Sequence, residues 1–280
     1  FLKCAKESIM KSARDLGVKK LYKYRAFEPS RTEFIKSIFE KSELYYPFPS
    51  GLNDPFECQF QLKVGDLSDL EYRSKHRVWA YEVQKHLSPV VGPVDYFKYY
   101  DSLSNETHLK FTKDIRDKTF ETVDQKWGIF SLSSDPQNVL MWAHYANNHR
   151  GFCLEFDTSN DYFGRAWKVN YVNRINSIDI LDFTEEDAFN SLVTKTKEWS
   201  YESEFRVISN AQNQVVGLPA LVRENVSEFP VSKLSAIIFG ARMSQADITE
   251  VLGWLDERHS HVKLKKIGLN SDGTLRVTGI

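Results

Sequence analysis

Cysteine is scarce in this chain. The three present, Cys4, Cys58 and Cys153, are odd in number, far apart and without CxxC spacing. That excludes a disulfide framework and a cysteine zinc site, and it suits a reducing cytoplasm. Excess charge of one sign is also missing: 37 Lys and Arg stand against 38 Asp and Glu, a formal net charge of -1. A general nucleic-acid binder shows a strong basic excess, so this balance argues against one and leaves room only for a local basic patch. No apolar run is long enough to span a bilayer. The opening Phe1-Leu2-Lys3-Cys4-Ala5-Lys6 lacks a signal-peptide core, and the absent initial Met predicts a few residues upstream. There is no GxGxxG fingerprint, which removes the Rossmann route to a dinucleotide. Neither an HExxH nor a DxD set appears, which weakens a metallohydrolase reading. No internal repeat is visible.

What remains is apolar mass and patterned charge. Hydrophobic residues make up 41% of the chain, enough for a sizeable core. The organising stretch is Trp199-Ser200-Tyr201-Glu202-Ser203-Glu204-Phe205-Arg206-Val207-Ile208. Its alternation predicts a strand with Glu202, Glu204 and Arg206 on one face. Like charges two residues apart repel, so that face answers either to a ligand or proton outside it or to a plain internal Glu–Arg pair.

The other elements follow from periodicity. Helical spacing covers 1–16, ending at Gly17, then 32–41, 185–197 and 246–258. Strand patterns cover 21–27, 43–46, 128–134, 152–156, 167–172, 178–181, 234–240, 262–267 and 274–277. Asp135-Pro136 predicts the start of a helix running through Trp142-Ala143-His144-Tyr145. Asn210 to Gly217 predicts a turn. Residues 67–123 are rich in Tyr, Lys, His and Glu with helical period, and predict a helical insertion or lid; His76, His86 and His108 in it are read as packing or surface histidines. Strands and helices mix without regular βαβ alternation, so the expected class is α+β, a single domain over 1–280.

Three distant strands carry the chemistry-bearing residues: Tyr24 and Arg25 on an early one, Ser131 and Ser133 on a middle one, Glu202 and Glu204 on a late one. This order of Arg, Ser-x-Ser and Glu-x-Glu resembles the arginine–serine–glutamate class of mono-ADP-ribosyltransferases. The resemblance implies an ADP-ribosyltransferase-like mixed sheet core that cleaves the nicotinamide–ribose bond of NAD. Glu204 would stabilise the cationic ribose, Glu202 would activate the acceptor, Ser131 would orient Glu204, and Arg25 would grip the phosphates. His144 and Tyr145 could bind a base or move a proton, or could simply be packed aromatics. Asn53-Asp54-Pro55 is either a structural turn or a ligand-contacting loop. Arg206 is a further dinucleotide-binding candidate, and Glu155 needs a partner such as Arg25 or Arg206 if it points inward.

A longer ordered set, LYKYR, ELYYPFPSGLNDPFE, FSLSSDPQNVLMWAHYANNHRGFCLEFD, EWSYESEFRVI and AIIFGARMS, resembles a bacterial family catalogued as domain of unknown function 2971. That resemblance implies a soluble protein of a defence or toxin system and supplies no activity. The expected activity is therefore an NAD-dependent ADP-ribosyltransferase or NAD glycohydrolase. The acceptor, protein or nucleic acid, and the oligomeric state are left open. A metal-dependent nuclease or hydrolase using His144, Glu155, Glu202 and Glu204, and a non-catalytic ligand-sensing or partner-binding module, are the alternatives.

Overall fold

The computed structural model describes residues 10–29, 32–87, 92–175, 177–210, 219–222 and 225–280. The early elements are strand β1 (Lys20–Arg25), helix α1 (Glu33–Glu40), and strands β2 (Glu43–Tyr45) and β3 (Gln61–Lys63). Three helices follow, α2 (Leu70–Leu87), α3 (Pro93–Ser102) and α4 (Asn105–Lys126). Then come β4 (Trp127–Ser133), α5 (Val139–Tyr145), β5 (Phe152–Asp157), β6 (Trp167–Lys168), β7 (Asn170–Val172) and β8 (Ser177–Asp179). The chain continues through α6 (Glu185–Ser191), β9 (Thr194–Thr196), β10 (Glu204–Asn210) and β11 (Val226–Glu228), and closes with β12 (Leu234–Phe239), α7 (Gln245–Leu252), β13 (Lys263–Leu269) and β14 (Leu275–Gly279).

This is a mixed α+β architecture. Eight strands form one sheet in the order β14-β13-β12-β5-β1-β4-β10-β6, antiparallel at every step except β12–β13. Three two-stranded pairs, β11–β2, β3–β8 and β7–β9, lie outside it. Alternation fixes what each sheet face carries. One face presents Leu21, Phe130, Leu132, Leu154, Phe205 and Ile237 to the largest core cluster, which α1 and α7 close with Phe39, Ile248 and Val251. The other face presents Tyr24, Cys153 and Ile238 to α5, whose Met141 and Trp142 cover them. Gly151 sits where β5 begins beside the end of β1. A Cβ there would lie 2.1 Å from the carbonyl oxygen of Arg25, so no larger residue fits without backbone movement.

Helices α2, α3 and α4 pack on a small core of their own, with Ala80, Tyr96 and Tyr100 at its centre. They reach the sheet side through the stacked pair Phe60–Phe120 and through Tyr72, whose hydroxyl donates to Asp179 at 2.8 Å. No described helix is long and apolar enough to cross a membrane.

Several expected elements differ. Residues 1–9 lie outside the described residues, and in place of a helix Ser12 bridges to Trp167 and residues 13–17 form turns: the Ser12 N–H and hydroxyl both donate to Asp15, and Gly17 takes φ +65°. Asn138, not Asp135, caps α5, because its side chain accepts from the Leu140 and Met141 N–H groups. The helix expected to reach Lys197 stops at Ser191, since Thr194–Thr196 pairs in parallel with β7. The expected turn from Asn210 to Gly217 falls almost wholly outside the described residues.

The expected strand from Trp199 also breaks in two. Lys197–Glu202 is a 3₁₀ helix, Ser203 is left-handed at φ 45°, and the strand begins only at Glu204. The flip at Ser203 means that Glu202 and Glu204 do not share a strand face by alternation.

Candidate functional site

Strands β1 and β4 pair at one register position, Tyr22↔Ser133, whereas β1 pairs with β5 along its full length. Beyond that rung the strands part. The ammonium of Lys23 reaches into the opening, donates to the Ser131 carbonyl oxygen at 2.7 Å, and sits 4.8 Å from the centre of the Phe130 ring. Burial, with the charge of Arg25 adding to it, pulls Lys23 down to about 7. Beside the opening is a cavity of about 120 Å³, walled by Tyr22, Tyr24, Ser131, Tyr145, Lys195, Glu57, Glu202 and Glu204 among others. Its size matches one small ring, or about four waters at roughly 30 Å³ each.

The charged wall is a five-membered cluster of almost completely buried groups, Glu57, Lys195, Glu202, Glu204 and Arg206. Lys195 Nζ lies 2.7 Å from Glu202 Oε2, 3.3 Å from Glu57 Oε1 and 3.6 Å from Glu204 Oε2. Arg206 donates through Nε to Glu204 Oε1 at 3.0 Å and through Nη2 to Glu204 Oε2 at 3.1 Å. Its Nη2 also pairs with Glu57 Oε1, and its Nη1 donates to the Leu192 carbonyl at 2.5 Å. Tyr145 donates to Glu202 Oε1 at 2.5 Å and accepts from Asn53 Nδ2 at 3.0 Å. Three carboxylates thus face two cations, and buried charges this close are tolerated only when paired.

Environment separates the two glutamates. Burial pushes Glu204 up, but the charges of Arg206 and Lys195 and hydrogen bonds from Arg206 and Ser131 outweigh it and hold the carboxyl at about 2. Glu202 moves the other way: burial and the neighbouring Glu204 raise it above the usual carboxylate range, against Lys195 and Tyr145. Glu57 is likewise raised, chiefly by burial. One carboxylate is held ionised while another two residues away is made basic, the pattern that separates acid, base and electrostatic roles in carboxylate enzymes.

Some of the expected residues converge and others do not. Glu202, Glu204, Ser131 and Tyr145 meet at the cavity, Ser131 engaging Glu204 directly. Ser133 and Tyr24 line it as well, but both hydroxyls are tied to backbone, Ser133 to the Glu202 carbonyl at 2.7 Å and Tyr24 to the Asp135 carbonyl at 2.6 Å. Arg25 is a correction. Register places Glu204 opposite Ser133, Ser133 opposite Tyr22, and Arg25 opposite Phe152, so Arg25 occupies the sheet face opposite to Glu204. Arg206 is on the right face, but its donors are engaged inside the cluster, so it is not a dinucleotide grip.

His144 is exposed and pairs with the Tyr201 hydroxyl at 3.1 Å, away from the cavity wall. The Asn53-Asp54 loop divides. Asn53 lines the cavity and holds Tyr145, whereas Asp54 accepts from the Phe56 N–H at 2.9 Å as a turn. Glu155 pairs with Lys265 at 2.5 Å and accepts from Ser235 at 2.9 Å, not with either arginine.

Three contributors escaped the sequence reading. Glu57 closes the Asn53-Asp54-Pro55-Phe56-Glu57 run, four residues past Asn53. Lys195 lies in Thr194-Lys195-Thr196, whose flanking β-branched residues were a strand signal inside a stretch read as helix. Lys23 alternates with Arg25 on the same strand. The chain also holds a His-x-His step, His259-Ser260-His261; His259 is buried with Nδ1 3.0 Å from Asp256 Oδ1. Among the described residues no group of three or more His, Cys, Asp or Glu could hold a metal ion.

Comparison with protein families finds a match at residues 141–207 to the model described as "Protein of unknown function (DUF2971)", about a quarter of the chain. That stretch contains Tyr145, Lys195, Glu202, Glu204 and Arg206 and leaves out Asn53, Glu57 and Ser131. Neither the curated proteins nor the solved structures yield a match.

Proposed function

We propose that this protein cleaves the nicotinamide–ribose bond of NAD, as a glycohydrolase or as an ADP-ribosyltransferase built on a related mixed sheet. The observation that supports the reading is the pair of glutamates at one small cavity, Glu204 held ionised and Glu202 made basic. In the reaction the C1′–N bond breaks and its electron pair stays with nicotinamide, which leaves neutral. Positive charge develops on the ribose, and Glu204, ionised at any working pH, is suited to stabilise it. Oxygen of water or an acceptor then bonds to C1′, and its proton passes to Glu202, whose raised basicity suits it to that step. A cavity of about 120 Å³ admits the nicotinamide ring but not a dinucleotide. The ribose and phosphates would therefore extend outside it, with Arg25 taking no part in their recognition.

Wild-type protein incubated with NAD should release free nicotinamide. Glu204→Gln should cut release by about a hundredfold or more, since a positioned charge is worth a few kcal/mol in the transition state. Ile208→Ala, a buried substitution on the same strand, should lower Tm while preserving turnover per folded molecule. Absence of nicotinamide release by wild type, with or without added acceptors, overturns the proposal. A second reading, a binding module for a small cationic ligand, is favoured by how completely Arg206 and Lys195 are satisfied inside the cluster, since structural ion networks perturb carboxylates in the same way.

A further inference from the structure

Both oxygens of Glu202 are engaged, Oε1 by Tyr145 and Oε2 by Lys195. Both oxygens of Glu204 are engaged by Arg206. Glu57 differs. Its Oε1 faces Arg206 and Lys195, while Oε2 is buried and has no hydrogen-bond partner among the described residues. The side chain is 2% exposed and forms part of the cavity wall. A buried acceptor without a donor is costly, on the order of the desolvation of that group, and stays in a fold where something else supplies the donor. Three carboxylates stand here against Lys195, Arg206 and Lys23, whose amine burial draws down to about 7, so the surrounding charge suits a neutral, electron-poor guest better than an anion. Tyr22, Tyr24 and Tyr145 add ring surface that suits a flat group of that kind.

We infer that Glu57 is the specificity determinant of the cavity: its free oxygen accepts an N–H from a planar, electron-poor ring bearing a carboxamide. The inference deepens the NAD-cleaving reading and rests on it for the identity of the ring, the carboxamide of nicotinamide supplying the N–H. It involves no bond making or breaking. Glu57 acts on binding, and its contribution is separable from the chemistry at Glu202 and Glu204.

The test is a ligand series read by calorimetry, independent of turnover: nicotinamide, methyl nicotinate, which has no N–H, and nicotinic acid, which is anionic. Wild type should bind nicotinamide about tenfold or more tighter than either analogue, the discrimination expected from one hydrogen bond to a charged acceptor. Glu57→Gln should lose most of the preference for amide over ester. Should that variant fail to fold, because Arg206 and Lys195 lose a charge, the wild-type series still decides.

Equal affinity of wild type for amide and ester, no binding of any of the three, or a folded Glu57→Gln with the preference intact would each overturn the inference. The two proposals fail separately. A Glu57-dependent amide preference without NAD cleavage retains the Glu57 assignment and removes the catalytic one. NAD cleavage with equal amide and ester affinity does the reverse.

Discussion

At the scale of single residues the site turns on how one environment treats two neighbouring carboxylates differently. Glu204 is fixed by Arg206 on both oxygens and titrates near 2, so it stays charged across any ordinary assay. Glu202 is raised by burial and by Glu204, and Tyr145 is one of the contacts that pull it back down. A base acts only when deprotonated, so turnover should rise with pH through the Glu202 titration and level off above it. The acid limb of the pH–rate profile then belongs to Glu202, and Glu202→Gln should abolish that limb along with transfer to an acceptor. Tyr145→Phe removes a hydrogen bond that favours the carboxylate form. The limb should therefore move to higher pH, by under about 1 pH unit, with little change in Tm. A pH–rate profile of the three proteins measures this, and a Tyr145→Phe limb moving to lower pH would contradict the assigned contact.

At the scale of elements, the two strands that part beside the site carry a second titration. Lys23 occupies the opening between β1 and β4 with its amine drawn down to about 7 by burial and by Arg25. Its folded value lies below the ordinary lysine value of 10.5. Between the two values the unfolded chain binds the extra proton, so stability from this group increases with pH across that window and is lower below it. Lys23→Met cannot titrate. The Tm difference between wild type and Lys23→Met should shift in favour of wild type as pH rises from about 6 to about 9. A difference that is flat with pH means the amine is not desolvated in the fold.

The same strands show what alternation in a sequence can and cannot reveal. Period-two patterns are legible for β1 and β4, and they separate Lys23 and Arg25 from Tyr22 and Tyr24, and Ser131 and Ser133 from Phe130 and Leu132, whereas β5 and β12 read as near-continuous apolar runs of buried strands. Alternation does not state which face of one strand joins which face of another. That depends on cross-strand register, and register sets Arg25 against Phe152 rather than toward Glu204. Glu202 reaches the same cavity as Glu204, but not by strand alternation. The left-handed Ser203 and the 3₁₀ turn before it bring its carboxylate there, and a strand-like pattern of aromatics masks that turn. Glu57 and Lys195 lie on a turn and a three-residue strand. Such short elements carry too few residues for periodicity to register, and only contacts with elements far along the chain bring them to the cavity.

At the scale of the whole molecule, two buried polar networks of opposite design stabilise two parts of the chain. In the helical part, His76 is fully buried with Nδ1 2.8 Å from the Tyr100 hydroxyl and Nε2 2.9 Å from Thr112 Oγ1, which ties α2, α3 and α4 together. Burial, with His108 adding to it, lowers His76 from 6.5 to about 4. A histidine kept neutral in the fold is protonated first in the unfolded chain. Its contribution is complete above 6.5 and is lost as pH falls toward 4, on the order of 3 kcal/mol at about 1.4 kcal/mol per pH unit. In the sheet, Glu204 behaves like a salt-bridged carboxylate. Its contribution is present above the ordinary value of 4.5 and is lost only as pH falls toward 2. Glu57 and Glu202, both raised, have the opposite sign: the fold holds their protons more tightly than the unfolded chain, so acid relieves their burial before Glu204 is touched.

Acidification should therefore loosen the molecule in order. Helices α2 to α4, with a small core of their own, should open between about pH 6 and pH 4 while the eight-stranded sheet stays closed. Hydrogen exchange corrected for intrinsic rate should show protection falling first in α2, α3 and α4 and persisting in β1, β4, β5 and β10 until lower pH. His76→Gln, which can keep a hydrogen bond without titrating, should remove the first step and leave the second. Simultaneous loss of protection in helices and sheet would mean that the helical segment is locked to the sheet more strongly than Tyr72–Asp179 and Phe60–Phe120 provide, and that His76 does not set the order.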